Sequence, residues 1–297
     1  MKILVIGKTG QVGCRLGTLL PRGSDTILAG RDTVDLTRPD SLRETIRAVR
    51  PDVVVNAAGY TDVDRAESEK AHAHAVNALA PGIMAEEAKR AGALLVHYST
   101  AFVFDGRKAG AYTENDTPNP ISEYGRSKLG GEAAVAAAGG AHLILRTNWV
   151  YDARGRNFLL TMLKLAATRE ELRIVDDQVG APTWARSIAE ATAAILRDLE
   201  RAKSQTGVYN LTALGSVSRY EFTRRIIEMT RALRSGREAA RLLPIETRDF
   251  PLPAERPLNS VLDNSRLMST FGLPLAHWET QLRGCVAELA PDTLSAH

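Results

Sequence analysis

Lys2-Ile3-Leu4-Val5-Ile6-Gly7-Lys8-Thr9-Gly10-Gln11-Val12-Gly13 opens the chain, and its reading decides the fold. Lys2–Ile6 is a short apolar run without polar alternation, the pattern of a strand covered on both faces. Three glycines follow in the spacing G-x-x-G-x-x-G, and an amphipathic segment, Gln11–Leu20, begins at once. Glycine lets the backbone turn tightly and come close to a diphosphate, whose charge a helix N-terminus favours. The spacing alone differs from the commoner G-x-G-x-x-G and carries little. Strand, loop and helix in succession make it a dinucleotide-binding turn.

Working outward, four more runs repeat the strand pattern: Asp25–Ala29, Val53–Asn56, Ala93–Tyr98 and His142–Thr147. Helical periodicity fills Pro39–Arg50, Ala71–Ala91 and Ser122–Ala138 between them. Pro39 and Pro81 read as helix starts, Gly92 as lying past a helix end, and the small-residue run Ala133–Gly140 as another end. The alternation predicts an α/β fold, a doubly wound parallel Rossmann-type sheet with helices on both faces. Beyond residue 150 the pattern weakens, with helices over Asn157–Ala167 and Arg186–Leu199 and a strand at Gly207–Leu211. The proline-dense stretch Ile245–Asn259 reads as an irregular binding segment. The predicted division is a cofactor-binding domain over 1–148, with 186–212 returning to it. A smaller C-terminal α+β substrate lobe takes 149–185 and 213–297, at the carboxyl edge of the sheet, where ligands sit in such folds.

Composition narrows the function classes. The 297 residues are 44% hydrophobic and 25% charged, enough for a large core without disulfide or metal staples. Thirty-eight Lys and Arg against 35 Asp and Glu leave +3, too small and dispersed for a nucleic-acid footprint. The opening apolar run is cut short by Gly7 and Lys8, and nothing later approaches a membrane span. Cys14 and Cys285 lie far apart and neither has a metal-ligand spacing. The expectation is a cytoplasmic protein with no membrane, nucleic-acid or metal partner.

The cofactor and the chemistry follow from three further motifs. Gly30-Arg31-Asp32 comes after the second strand, where an arginine accommodates a ribose 2′-phosphate; Arg31 therefore points to NADP(H). Asp35 and Leu36 are candidates for the adenine edge. Ala57 and Ala58, with Tyr60 just beyond, end the third strand beside the dinucleotide. Tyr124-Gly125-Arg126-Ser127-Lys128 stacks a phenol and an ammonium on one helical face, where the positive charge favours the phenolate. Such a tyrosine can give up a proton and recover it. Ser99-Thr100, at the end of the fourth strand, offers a hydroxyl to the reacting oxygen. Asn77 either supports the lysine through water or is an ordinary polar helix residue.

Together these motifs resemble the extended short-chain dehydrogenase/reductases and, within them, the dTDP-4-dehydrorhamnose reductase family. The similarity continues through Arg50-Pro51-Asp52, Val55–Ala58, Val63-Asp64, Arg146–Tyr151, Asn157-Phe158, Asp177-Gln178, Gly180–Thr183 and Arg256–Ser260. The resemblance implies that NADPH, with NADH as its alternative, delivers hydride to the C4 keto carbon of dTDP-4-dehydro-6-deoxy-L-mannose, giving dTDP-L-rhamnose. Cofactor residues would be Gly7, Thr9, Gly10, Gln11, Val12, Gly13, Arg31, Asp35, Leu36, Ala57, Ala58, Tyr60, Tyr124 and Lys128. Tyr124 would protonate the alkoxide, Lys128 would lower the tyrosine pKa and bind the nicotinamide ribose, and Thr100 would orient the carbonyl. Val63 and Trp149 would line the sugar site, and Asn157, Gln178, Arg256 and Asn259 would hold the nucleotide diphosphate. A monomer or weak homodimer is expected.

Two departures qualify the match. Ala101-Phe102 stands where the family pattern has Asp-Tyr, and Asp62 or Asp64 is expected to replace the lost polar contact. Arg15 stands where some members place an acidic magnesium ligand, so no metal is expected. Two alternatives accompany this reading. One is a reductase of a different dTDP-4-keto-6-deoxy sugar; the other is a non-catalytic NADP-binding regulatory subunit. A dehydratase is disfavoured because Ala101-Phe102 lacks the Asp-Glu acid/base pair.

Overall fold

The computed structural model describes residues 1–20, 23–234 and 239–289. Its centre is a six-stranded parallel sheet. Five strands come from the first half of the chain: β1 (Lys2–Ile6), β2 (Asp25–Ala29), β3 (Val53–Asn56), β4 (Leu94–Thr100) and β5 (His142–Thr147). The order is β2-β1-β3-β4-β5, with one later strand beyond β5. Successive side chains alternate between faces. Ile3, Val5, Val53, Val55 and Val96 therefore meet one helical layer, and Leu4, Ile6, Val54, Leu95 and Ile144 meet the other. Double coverage explains why these strands read as unbroken apolar runs.

The helices of this half are α1 (Gln11–Leu19), α2 (Pro39–Val49), α3 (Val63–Ala66), α4 (Lys70–His74), α5 (Ala80–Arg90) and α6 (Glu123–Ala138). Pro39 opens α2 as the sequence predicts. Pro81 is the second residue of α5, as the sequence predicts, although the chain is already helical before it. It follows a π-helical turn, Ala75–Leu79, inside a run that is helical from Lys70 to Arg90. Proline lacks an N–H and its ring crowds the carbonyl four residues back, which is that of Asn77. The wider turn absorbs the crowding and directs the Asn77 carbonyl at α6, where a Cβ on Gly131 would lie 2.1 Å from it. Ser122 caps α6 by accepting from the Gly125 N–H at 3.2 Å. Gly139 ends it in the left-handed region at φ 66°.

The second half supplies β6 (Val150–Tyr151), α7 (Phe158–Thr168), β7 (Glu171–Val175), β8 (Val179–Gly180), β9 (Thr183–Trp184), α8 (Ala185–Ile195), α9 (Leu199–Ser204) and β10 (Gly207–Asn210). After them come β11 (Val217–Ser218), α10 (Arg219–Met229), β12 (Arg241–Ile245), α11 (Ser265–Phe271) and α12 (Trp278–Ala287). The single helix expected over Arg186–Leu199 is two, because Asp198 caps a new one by accepting from the Arg201 N–H at 3.0 Å. β10 pairs with β5 and completes the main sheet, and Ile188 of α8 packs into the same core layer as Leu16 of α1. The remaining strands form three two-stranded ribbons, β7 with β12, β6 with β9 and β8 with β11. β6, β9 and β11 contribute to a separate core with Tyr151, Leu159, Leu163, Phe222, Ile226, Trp278 and Leu282, while β7 and β12 pack with Met162 and Ala166. The proline-dense segment supplies the last residue of β12 and a 3₁₀ turn, Thr247–Asp249, and then runs irregularly to Asn259. Among the described residues no helix is long and apolar enough to cross a membrane.

Candidate active site

The glycine loop leaves β1 where the sheet order reverses, between β1 and β3. Gly7 has φ +105°, and a Cβ there would lie 2.7 Å from the Ala57 and Ala58 backbone, so the β1 and β3 loops touch. On Gly13 a Cβ would fall 2.0 Å from the Gly7 carbonyl. Gly10 has room, its nearest neighbour lying at 3.4 Å, and it N-caps α1. No side chain caps this helix and no acid occupies its first turn. Its N–H groups and positive dipole end are thus left for an external anion, which fits a dinucleotide diphosphate. Thr9 is exposed at the tip, Val12 packs on the core, and the Gln11 Oε1 is buried with no partner.

The loops that flank this cradle carry the other cofactor candidates. Arg31 is exposed, while Lys8 holds Asp32 at 2.6 Å. Asp35 spends its carboxylate on its own turn, accepting from the Thr37 N–H at 2.9 Å and hydroxyl at 2.7 Å, and Leu36 packs on the core. Tyr60 is fixed by its backbone N–H to Asn77 Oδ1 at 2.8 Å and by its hydroxyl to Glu69 at 2.8 Å. Asn77 returns 2.9 Å to the Tyr60 carbonyl and 3.0 Å to Ser127 Oγ. It therefore joins this loop to α6 and has no direct bond to Lys128.

Tyr124 and Lys128 lie on the first turns of α6, and Thr100 ends β4 opposite them. Lys128 is 5% exposed and donates from Nζ to the Tyr98 carbonyl at 2.7 Å. Burial brings its pKa down to about 8 against the pull of Glu132. Burial also pushes the Tyr124 phenol up, and the facing Thr100 hydroxyl offsets part of that. Burial is thus the leading influence on the Tyr124 phenol, and it favours the protonated form. Thr100 Oγ1 accepts from the Phe102 N–H at 3.2 Å, and the Phe102 ring meets Tyr124 edge-on at 5.8 Å. Gly125 is needed because a Cβ there would lie 2.2 Å from the Phe102 carbonyl. Ala101 is fully buried, packed with Val103 and Phe104, so Phe102 alone of that pair borders the tyrosine.

A buried network under the lysine was missed from the sequence. Glu132, one turn beyond Lys128, accepts from Ser99 Oγ at 2.5 Å and from Arg146 at 2.9 and 2.6 Å. The signal was present in the sequence: an acid at i+4 from a buried lysine shares its helical face.

The remaining substrate candidates separate into two groups. Trp149 lies two residues past Thr147, which pairs with Thr100, so it sits at the same sheet edge as Thr100. Its backbone is left-handed at φ 40°, the Arg219 guanidinium covers one ring face at 4.2 Å, and Gly180 is small where the ring edge approaches. Gln178 is buried, accepts from Arg219 Nε at 3.1 Å and donates to Thr247 Oγ1 at 3.1 Å. Val63, half-buried, opens α3 beside Asp62.

The other three do not match the role that the resemblance gave them. Asn157 donates both amide protons to the Asp152 and Arg154 carbonyls, at 2.8 and 3.0 Å, and caps α7. Asn259 likewise donates to the Lys108 and Gly110 carbonyls, at 2.7 and 2.8 Å. Neither has a proton left for a phosphate, and both lock loops. The fork of Arg256 already holds the Asp64 carboxylate at 2.8 and 2.7 Å. The expected replacement of the missing polar contact by Asp62 or Asp64 fails for the same reason. Asp62 accepts from the Arg65 N–H at 3.2 Å as the cap of α3, and Asp64 is taken by Arg256. Arg15 is also paired, with Asp152 at 2.7 Å and Glu288 at 2.6 Å.

A family model described as the RmlD substrate binding domain matches residues 1–290. The dTDP-4-dehydrorhamnose reductase of Burkholderia thailandensis is 48% identical over 295 residues, covering 97% of this chain and 99% of that protein. The enzyme of the same name from Escherichia coli K12 is 38% identical over 297 residues, with 99% of each covered. Among solved structures, the dTDP-4-dehydrorhamnose reductase of Bacillus anthracis, crystallised in complex with NADP, superposes with a TM-score of 0.90. It is 30% identical, and the match covers 97% of this chain and 99% of that one. The Thermus thermophilus UDP-glucose 4-epimerase, at 21% identity and a TM-score of 0.79, shares the fold. The chain belongs to the dTDP-4-dehydrorhamnose reductase family.

Proposed function

We propose that this protein reduces the C4 keto group of dTDP-4-dehydro-6-deoxy-L-mannose with NADPH, forming dTDP-L-rhamnose. The observation that carries the reading is geometric: Tyr124 on the first turn of α6 faces the Thr100 hydroxyl at the end of β4 and lies one helical turn from Lys128. NADPH, when bound, supplies the hydride. Gly7, Gly10, Gly13 and the uncapped N-terminus of α1 would hold its diphosphate, with Arg31 and Lys8 toward the 2′-phosphate. Thr100 orients the C4 carbonyl by donating a hydrogen bond to its oxygen. Tyr124 gives its phenolic proton to that oxygen as the carbon becomes tetrahedral, so one hydride and one proton are added across the double bond. A protonated phenol is the form that reduction requires. Lys128, anchored on the Tyr98 carbonyl, holds the ribose and stabilises the phenolate left behind. In this reading residues 1–148 and 186–212 bind the cofactor, and 149–185 with the segment from 213 onward bind the sugar nucleotide.

The test is NADPH oxidation with the keto sugar generated in place by an upstream epimerase, beside a Tyr124→Phe control. Turnover that is lost in the control supports the assignment. Intact NADPH binding with no turnover of this or any other dTDP-4-keto-6-deoxy sugar would sink it.

A further inference from the structure

Arginines in the described structure are commonly answered by carboxylates: Arg15 by Asp152, Arg146 by Glu132, Arg256 by Asp64. Arg219 has none among the described residues. Its neighbours are two aromatic faces, Trp149 at 4.2 Å and Phe158 at 5.1 Å, and one neutral acceptor, the Gln178 amide oxygen at 3.1 Å. Burial, with a smaller repulsion from another cation, Arg256, holds its pKa down to about 10. A partly desolvated cation without a counter-ion is costly, and an incoming anion removes that cost. The guanidinium is also preorganised. Its residue opens α10 directly after the Ser218 cap, and its backbone N–H donates to the Gln178 carbonyl at 3.2 Å. Stacking on Trp149 places it at the carboxyl edge of the sheet that also carries Thr100.

We infer that Arg219, stacked on Trp149 and held by Gln178, is the residue that grips the diphosphate of the sugar nucleotide, in place of Arg256. The inference rests on the proposed reductase reading for the identity of the nucleotide, and on geometry for the anion. The planar fork of arginine pairs with two phosphate oxygens while its face stays on the indole. Arg256 then serves as a lobe-to-lobe tie through Asp64.

Calorimetric titration of wild-type protein, Arg219→Gln and Arg256→Gln with pyrophosphate, dTDP and thymidine tests this. In Arg219→Gln the dTDP and pyrophosphate affinities fall roughly 10- to 100-fold while thymidine is unchanged. In Arg256→Gln the dTDP loss is smaller than that. Unchanged dTDP affinity in Arg219→Gln overturns the inference. So does an equal loss for thymidine and dTDP, which would make the arginine a prop for Trp149 alone. If Arg219→Gln does not fold, Arg219→Lys carries the test: dTDP weakens roughly fivefold or more relative to thymidine, and no difference overturns the role. Wild-type protein that binds pyrophosphate through Arg219 but not dTDP would overturn the nucleotide-sugar reading and keep the arginine as a diphosphate ligand.

Discussion

Arg146 on β5 and Glu132 on α6 form a two-pronged ion pair inside the protein, with side chains 4% and 6% exposed. The carboxylate also takes the Ser99 hydroxyl, so both of its oxygens are engaged. Removing one partner leaves the other charged and buried. Glu132→Ala is expected to lower stability by about 3–5 kcal/mol in urea denaturation. The Arg146→Met/Glu132→Leu double variant should recover a large part of that, because no charge is then stranded. A double variant as unstable as the single one would show that packing, and not charge, dominates there.

Glu132 also acts on Lys128 one turn away. Lys128 loses its proton near pH 8, so NADPH affinity should fall as pH rises through about 8. Glu132 raises the lysine pKa, so in Glu132→Gln the fall comes at lower pH. Stability of the apoprotein runs the other way. The folded pKa lies below the ordinary 10.5, so between those values the unfolded chain binds the extra proton and stability rises with pH. Lys128→Met should abolish that rise, measured as the difference between the two stability curves below pH 10.

Tyr124→Phe removes the proposed proton donor but keeps the ring against Phe102. Turnover should drop roughly 10²- to 10⁴-fold, with NADPH affinity changed less than about twofold. Substantial activity in this variant would assign proton delivery to another group. Its protonated state at neutrality also predicts a reduction rate with no acid limb from Tyr124.

The glycines of the first loop separate fold from cofactor. Gly13→Ala drives a methyl into the Gly7 carbonyl and should cost both stability and NADPH binding. Gly10→Ala has space in the apoprotein, and its methyl stands where the diphosphate must approach. It should leave the melting temperature nearly unchanged and weaken NADPH roughly tenfold or more. A Gly10→Ala protein that binds NADPH normally would move the diphosphate elsewhere.

Asp64 ties α3 to the 254–256 segment through Arg256 and the Ala254 N–H. Arg256 holds the Asp64 carboxyl below the usual range, so this contribution is present above the ordinary carboxylate pKa and is lost as pH falls through the lowered one. In Asp64→Asn, amide exchange across residues 254–258 should accelerate, with little change in β1 or β3. Equal protection in both proteins would mean that the proline-rich segment holds itself in place.

The sequence made some of this legible and hid the rest for identifiable reasons. The strand runs Lys2–Ile6, Val53–Asn56 and His142–Thr147 match because both faces are buried, leaving a local apolar signal. The ribbons β6, β8, β9 and β11 are two residues each, shorter than any period can reveal. Pro81 does stand at the start of α5, but a proline there gives no hint of the π turn ahead of it. At the candidate site, Tyr124, Lys128 and Thr100 were readable as neighbours since one helix and one strand end carry them. Asn157 and Asn259 were misread because an amide that caps a loop has the same composition as one that waits for phosphate. Arg219 escaped notice because its meaning lies in the absence of an acid, which only the folded arrangement shows.

With Trp149 in its proposed place against the sugar, its left-handed backbone sets a conflict between durability and recognition. A bulky residue at φ 40° costs on the order of 1–3 kcal/mol, and the surrounding contacts must sustain that in the absence of any ligand. A library screened for thermal endurance alone would therefore drift toward glycine or asparagine at this position and lose the indole wall. One screened for sugar-nucleotide turnover would retain the tryptophan and tolerate a lower melting temperature.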